Sequence, residues 1–371
     1  MNIIKTIAAL SLTATLALPI AAIAQNGTEP PPAPPSETLS PGDIVNRATQ
    51  DEWTVIAPDD LLVMTLAPDA DGNPRTVILQ LAPPPFSQGW INNIRTLARA
   101  QWYDGTSINR VQDNYVVQWG DPNYDNPETS GKAKSLPEGL SVMEEGDYEV
   151  APPPEVAQSM QSFLDALMAL MSKGAELAEA VKQGSDGEEF EEEMAFLNSY
   201  SSSDPSATYV GYLDGIPFGS DLETIWPTHC YGMVGVGRNY SPDTGSGAEL
   251  YTVIGHAPRH LDRNIALVGR IIEGIEHLSS LPRGNGALGF YSEDEADKRT
   301  PILSIRVASD LPEAERPLFE YLSTDSDSFA RYAEARANRT DPFFIIPAGG
   351  TDICNIPVPV RRFEYVSQGP E

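Results

Sequence analysis

Residues 102–111 read WYDGTSINRV, and residues 115–122 read YVVQWGDP. Within this stretch a β-rich run extends from Ile108 to Trp119 and is interrupted by Asp113-Asn114, a pair typical of turns. Arg110 lies before the interruption and Gln118 lies after it. The stretch therefore predicts β-structure that carries one arginine and one nearby amide.

Upstream, the sequence predicts a β-hairpin followed by a helix. Leu61–Leu66 and Thr76–Leu81 are β-rich, and the segment 68–74 between them has turn composition. Its Asp-x-Asp-Gly motif lacks the Glu that closes a calcium loop, so we interpret it as a plain turn. Over Gln88–Gln101 the apolar residues share one helical face; they are Trp90, Ile91, Ile94, Leu97 and Ala98.

Downstream, the pattern predicts one long helix, several strands and a partly helical tail. The helix spans Glu155–Gln183 and carries a Met/Leu stripe at helical spacing. We favour a helix docked on the main domain over a peptide-binding groove. Further helices are predicted near Glu313–Leu322 and Ser328–Asn338. The predicted strands are Cys230–Val236, Leu250–Ile254, Ile265–Ile271 and Ile302–Val307.

Taken in order, these segments resemble the cyclophilin family. The family's first half reads roughly F/Y-Y-D-G-x-x-F-H-R-V, then F-x-x-Q-G-G-D, and residues 102–122 are similar to it. The resemblance covers about residues 59–125 and 228–308, and the order of several motifs makes it specific. The matching later segments are GMVGVGR (232–238), GAELYTV (247–253), LD (261–262) and VGRIIEG (268–274).

The resemblance implies a mainly β fold with helices. The family has a closed antiparallel eight-stranded barrel capped by two helices, and the predicted elements fit it. We expect a cyclophilin-like domain over residues 42–308, with a helical insertion at about 127–205 and a C-terminal extension over 309–371.

The family's activity is peptidyl-prolyl cis-trans isomerisation. An Xaa-Pro bond rotates over a barrier of roughly 20 kcal/mol because the amide C–N bond has partial double-bond character. No covalent bond breaks, so no cofactor is expected. A fixed guanidinium, which is always charged and rich in donors, suits the twisted amide. By resemblance, Arg110 is the catalytic arginine, and Gln118 orients it and the substrate backbone.

The resemblance also assigns the substrate-binding residues, with several departures from the family. The family commonly has Phe, Met, Phe and Leu at the proline pocket, and Gly237 and Arg238 match the pair that contacts the peptide before its proline. Glu249 replaces a Gln of the peptide groove and places a charge there. A salt bridge to Arg110 or Arg238 would either make this charge tolerable or tie up the catalytic guanidinium. His260 and Ile265 stand where the family often has an aromatic residue and a His or Tyr. The proline-pocket positions are Tyr115, Val116, Tyr251 and Leu261.

Because of these departures, two functions are expected from the sequence. The first is an isomerase that acts on proline-containing polypeptides of the cell envelope. The second is a catalytically weak or inactive cyclophilin-like domain that binds peptides as a chaperone or scaffold.

The N-terminus predicts export. Lys5 precedes an apolar stretch, Ile7–Ile23, that ends in Ala22-Ile23-Ala24, as in a secretory signal peptide cleaved near Ala24. A Pro-rich linker (25–41) follows, and no later stretch is long and apolar enough to span a membrane. A periplasmic or secreted protein is expected.

The net charge of the chain bears on which partners it can bind. The formal net charge of -29 makes nucleic acid a poor partner.

Cys230 and Cys354 are the two cysteines, and in an oxidising compartment either a disulfide or two buried free thiols are compatible with the sequence. His256 and His260 have the spacing of half a zinc site, but Pro258 between them disfavours a helix, so no metal site is predicted.

Overall fold

A computed structural model describes residues 39–123, 127, 129–182 and 204–363. The predicted signal peptide and most of the predicted linker lie outside these residues, as does part of the predicted insertion. The helices are α1 (Pro41–Arg47), α2 (Gln88–Arg99), α3 (Pro154–Lys182), α4 (Glu276–Ser279) and α5 (Asp327–Ala337). The strands are β1 (Trp53–Val55), β2 (Leu61–Leu66), β3 (Arg75–Leu81), β4 (Ser107–Val111), β5 (Val116–Gly120), β6 (Tyr209–Leu213), β7 (Ile216–Ser220), β8 (Ile225–Pro227), β9 (Met233–Val236), β10 (Leu250–Val253), β11 (Leu267–Glu273), β12 (Ile302–Val307), β13 (Phe319–Leu322) and β14 (Val360–Arg362).

The central feature is an eight-stranded antiparallel sheet in the order β12-β2-β3-β11-β9-β10-β5-β4. Its two edges approach each other, because Ser107 bridges to Pro301 and the Ile108 amide donates to the Thr300 carbonyl over 2.9 Å. Joining the edges removes the unpaired strand groups that an open sheet would present. The sheet is therefore a nearly closed barrel, which confirms the predicted fold class.

Helix α2 packs against the barrel with the face that its sequence predicts. Trp90, Ile91, Ile94, Leu97 and Ala98 are all buried in the main hydrophobic core. Their spacing places them on one stripe of the helix, and the apolar stripe is what drives the helix onto the barrel. The short helix α4 adds Leu278 to the same core.

A three-stranded sheet in the order β1-β13-β14 forms a second layer outside the barrel. It shares a second hydrophobic cluster with the outward-facing side chains of the barrel strands, among them Leu61 and Ile78. Helices α1 and α5 contribute Ile44 and Phe329 to this cluster. The chain after residue 308 thus covers one outer wall of the barrel.

The prediction of a helix over Glu313–Leu322 is wrong. A single 3-10 turn covers Glu313–Glu315, and Phe319–Leu322 is strand β13. Pro317 disfavours helical geometry in the residue before it. Every residue of β13 is buried between β1 and β14, so tertiary pairing overrides the local helix preference.

Residues 209–227 form a third sheet, β6-β7-β8, which the sequence interpretation did not predict. The predicted long helix is present as α3, and its first turns pack on this sheet through buried Val156 and Met160. The Phe163 and Tyr209 rings meet at 5.4 Å. The boundaries proposed for the domain, its insertion and its extension stay predictions.

Candidate functional site

Arg110 lies on β4, directly across from Gln118 on β5. Directly opposed residues of an antiparallel pair project on the same face, so the two side chains meet. Arg110 Nη1 donates to Gln118 Oε1 over 3.3 Å, and Nη2 donates to Gln112 Oε1. Its Nε donates to the Leu288 carbonyl over 2.7 Å. The guanidinium is therefore held from three sides by neutral oxygen atoms.

Two aromatic rings flank the same guanidinium. Its central carbon lies 5.6 Å from the centre of the Tyr115 ring and 5.5 Å from that of Phe290. Burial lowers the pKa of Arg110 below its ordinary value, although the side chain stays protonated because an arginine pKa starts so high. A partly desolvated cation interacts more strongly with a nearby dipole than one in water does.

A small apolar cluster adjoins Arg110 on strands β5 and β10. Val116, Tyr251 and Val253 are its buried members, and Tyr115 and Ile265 pack against it. The structure thus brings together three of the predicted proline-pocket residues. The fourth, Leu261, is half-buried in the turn Arg259–Leu261 and is not among the members of this cluster.

His260 is exposed and extends the cluster outward. Its ring stacks on Tyr115 with a centroid distance of 6.5 Å and an angle of 9° between planes. It therefore supplies a flat ring surface where the family often has an aromatic residue. Ile265 supplies an apolar side chain at the position where the family often has a His or Tyr.

Tyr251 is linked to a buried histidine that the sequence interpretation missed. Its hydroxyl lies 2.9 Å from His229 Nε2, and His229 Nδ1 lies 2.8 Å from Asp262 Oδ1. With the His229 proton on Nδ1 beside the carboxylate, Nε2 accepts from the Tyr251 hydroxyl. The Tyr251 hydroxyl is thus hydrogen-bonded inside the protein.

The approach of Tyr251 depends on a glycine in the adjacent strand. A Cβ on Gly235 would lie 2.4 Å from the Tyr251 hydroxyl oxygen, closer than any real contact. Burial also raises the pKa of Tyr251 well above its ordinary value, so the hydroxyl stays protonated and available as a donor. No sequence spacing would have linked His229 to Tyr251 or to Asp262, since β-strand pairing and a turn bring them together.

The buried histidine predicts a pH dependence of stability. Burial lowers the pKa of His229 despite its bond to Asp262. The unfolded chain then binds a proton near pH 6.5 that the folded chain resists, so the free energy of unfolding is highest above about pH 6.5 and falls as the pH drops below it. Urea unfolding at pH 7.5 and 5.5 should show this loss.

His229 and the carboxylates affect the free energy of unfolding in different pH ranges. The pKa values of Glu52 and Glu295 are lowered to about 2, so their stabilisation is lost only below about pH 4.5. His229→Gln should flatten the dependence between pH 7.5 and 5.5, whereas His256→Gln, at an exposed position, should retain it. An unchanged dependence in His229→Gln would contradict the assignment.

Glu249 is buried beneath two glycines rather than projecting into solvent. Its side chain is part of a residue that is only 3 % exposed. A Cβ on Gly120 would lie 2.0 Å from Glu249 Oε1, and one on Gly237 would lie 2.9 Å from Glu249 Cβ. The two glycines thus leave the space that the carboxylate side chain fills.

Arg238 lies at the rim of the site. Its Nε and Nη2 donate to the Asn264 carbonyl over 3.0 and 2.8 Å, and Nη1 donates to the Asn239 carbonyl over 2.7 Å. The two bonds to Asn264 tie the loop after β9 to the turn before β11. Within the described ranges, no group of three or more His, Cys, Asp or Glu side chains is arranged to hold a metal ion.

The structure joins Cys230 and Cys354 in a disulfide across 124 residues of sequence. It ties the segment before β9 to the segment before β14. In the part of the chain that the structure describes, no helix combines the length and the apolar character needed to cross a bilayer.

Comparisons with known proteins agree with this fold. A family model described as "Cyclophilin type peptidyl-prolyl cis-trans isomerase/CLD" matches residues 90–307, more than half of the chain. No curated protein matches the sequence. The crystal structure of cyclophilin AquaCyp293 from Hirschia baltica is similar, with a TM-score of 0.54, 18% identity, and coverage of 85% of this chain and 98% of that one.

A second similar structure is a cyclophilin type peptidyl-prolyl cis-trans isomerase from Cryptosporidium parvum. Its TM-score is 0.35 at 11% identity, with 67% of this chain and 96% of that chain covered.

Proposed function

Since the chain belongs to the cyclophilin-type peptidyl-prolyl cis-trans isomerase family, we propose that it accelerates the isomerisation of Xaa-Pro bonds, with Arg110 as the catalytic residue. The observation that carries the proposal is the fixed guanidinium beside an apolar cluster. Proline has an apolar ring and no amide proton. A site for it therefore needs apolar walls and a donor directed at the amide nitrogen.

Arg110 keeps donor capacity for a substrate. A guanidinium has five N–H groups, and three hydrogen bonds to Gln118, Gln112 and Leu288 hold it. Two N–H groups are therefore left for a bound peptide. As the amide twists, its nitrogen loses conjugation with the carbonyl and becomes an acceptor, so a hydrogen bond from Arg110 stabilises the transition state more than the planar ground state.

In this mechanism the neighbouring side chains position the reacting bond. Tyr115, Val116 and Tyr251 receive the proline ring, and Gly237 and Arg238 contact the residues before it. Gln118 orients Arg110, and its side-chain amide accepts a hydrogen bond from the peptide backbone or donates one to it. The reaction makes and breaks no covalent bond, so the chain needs only binding and oriented hydrogen bonds.

We place the substrates among exported proteins. The predicted signal peptide supports this, and so does the disulfide, because such bonds persist in oxidising compartments and are rare in the cytosol. The periplasm or the exterior is therefore the proposed location.

A second candidate function is peptide binding with little turnover. It is favoured by an exposed apolar segment near the C-terminus, in which Phe343, Ile345 and Ile346 are more than 80 % exposed. Such a segment is typical of surfaces that contact other proteins.

Exchange NMR on a short peptide with an Ala-Pro bond tests the proposal. Unaided exchange takes tens to hundreds of seconds, so cis and trans signals that exchange within a second at micromolar protein would establish acceleration. Exchange at the unaided rate would overturn the isomerase assignment. Peptide binding without acceleration would favour the second candidate.

A further inference from the structure

We propose that the chain binds an aliphatic carboxylate in a pocket between the barrel and its C-terminal segment, with Arg270 as the residue that holds the carboxylate. The pocket has a volume of about 390 Å³. It shares no residue with the Arg110 site. Binding in this pocket does not require isomerase activity.

The pocket is built where the chain returns across the barrel wall. Strand β11 and the turn before β9 form one side, and the segment Ile353–Val360 forms the other. The disulfide between Cys230 and Cys354 joins the two sides within the pocket wall. The volume lies in the range of small-molecule sites, which are mostly apolar with a few placed polar groups.

The lining is mainly aliphatic and carries positive charge. Isoleucine, valine and proline side chains make up most of it, including Ile272, Ile275 and Val358. The charged residues in the described lining are Arg270 and Arg336, and no Asp or Glu is among them. Arg336 is tethered, since its Nε and Nη2 donate to the Asn355 carbonyl over 2.9 and 2.6 Å.

Arg270 is the unusual member of this lining. It is 8 % exposed, and its Nε donates to Gln80 Oε1 over 2.9 Å. Its Nη2 is buried and has no hydrogen-bond partner among residues 39–123, 127, 129–182 and 204–363. Arginine is almost never buried so deeply unless it is paired.

The Arg270 side chain is positively charged at neutral pH. Burial lowers its pKa to about 10, and the opposing contribution comes from Tyr321, not from a carboxylate. The group therefore stays protonated at pH 7. An unpaired buried cation destabilises the folded state, and the destabilisation is removed when an anion supplies the missing acceptors.

These observations define the ligand's chemistry. A carboxylate matches the planar fork of a guanidinium and accepts two of its N–H groups side by side. The aliphatic lining suits an apolar chain attached to that carboxylate. The two arginines, with no acid in the described lining, favour an anionic headgroup over a neutral or a cationic one.

Isothermal titration calorimetry with octanoate tests the site on the full chain, with 1-octanol and octylamine as neutral and cationic controls. We expect saturable 1:1 binding of octanoate, at least tenfold tighter than binding of either control. Octanoate that binds no tighter than 1-octanol would overturn the proposal, and this comparison needs only the wild-type protein.

A variant assigns the binding to Arg270. Arg270→Met keeps the apolar bulk and should weaken octanoate binding at least tenfold, while Arg75→Met, at the hairpin outside the pocket, should bind as the wild type does. Without octanoate, Arg270→Met should unfold at the same or a higher temperature than the wild type. Wild-type affinity in Arg270→Met would show that Arg270 does not hold the carboxylate.

Discussion

Arg110→Ala is expected to lower kcat/KM for isomerisation of an Ala-Pro peptide by about 100- to 1,000-fold, the usual effect of removing one preoriented transition-state donor. Arg110 donates three hydrogen bonds that fix the guanidinium and leaves two N–H groups for the substrate. Alanine removes all of them while leaving the apolar cluster of Val116 and Tyr251 in place. Binding of the peptide should therefore weaken much less than turnover.

Two further variants sharpen this prediction. Arg110→Lys keeps the charge but loses the forked donors, so it should remain far below the wild type. Arg283→Ala removes an arginine that forms an exposed ion pair with Asp113, and it should leave the rate unchanged. Cis–trans exchange measured by NMR gives all three rates. Equal rates for Arg110→Ala and the wild type would contradict the catalytic role of Arg110.

Replacing both Cys230 and Cys354 with serine is expected to lower the free energy of unfolding by about 2–5 kcal/mol. The bond closes a loop of 124 residues, and the chain entropy lost by the unfolded state on closing so long a loop is near the upper end of that range. Urea unfolding of the wild type and the double variant measures the difference.

The reduced wild type provides the matched control for that measurement. In the presence of a reductant it should unfold at the same urea concentration as the double variant, because both lack the same covalent link. Isomerase activity should persist in the folded double variant, since neither cysteine contacts Arg110. Coincident unfolding curves for the oxidised wild type and the double variant would show that the disulfide does not stabilise the fold.

The barrel and the Arg110–Gln118 pair were predictable because both arise from local order. The segments around Arg110, Gln118 and Tyr251 follow one another along the chain in a fixed spacing, and antiparallel pairing then sets which side chains meet. The side chains on β5 and β10 that cluster beside Arg110 therefore follow from the order of the strands.

The outer layers were harder to predict because long-range pairing determines them. Strand β13 reads locally as helix and becomes a strand only between β1 and β14. The hairpin of β6 and β7 did carry a signal, since Asp214-Gly215 is a favoured two-residue turn and both residues have positive φ. Its significance was missed because the surrounding residues lie outside the family pattern.

The hydrogen bonds from Asp262 through His229 to Tyr251 were also not predictable from the sequence. Each of the two bonds joins buried side chains that are distant in sequence, so neither periodicity nor composition indicates it. The burial of Arg270 was also not predictable. Its position in the segment VGRIIEG (268–274) gives no indication that a later part of the chain covers it.

The pairing of β1 with β13 has a consequence for the order in which the protein assembles. Trp53 pairs with Leu322, so strand β1 waits for a strand that is synthesised much later. Contacts between such distant positions form slowly. The barrel strands can associate before then, while apolar side chains such as Leu61 and Ile78 on their outer wall stay uncovered. Until β13 and β14 are synthesised, this outer wall therefore remains an exposed apolar surface, and such surfaces promote aggregation of incompletely folded chains.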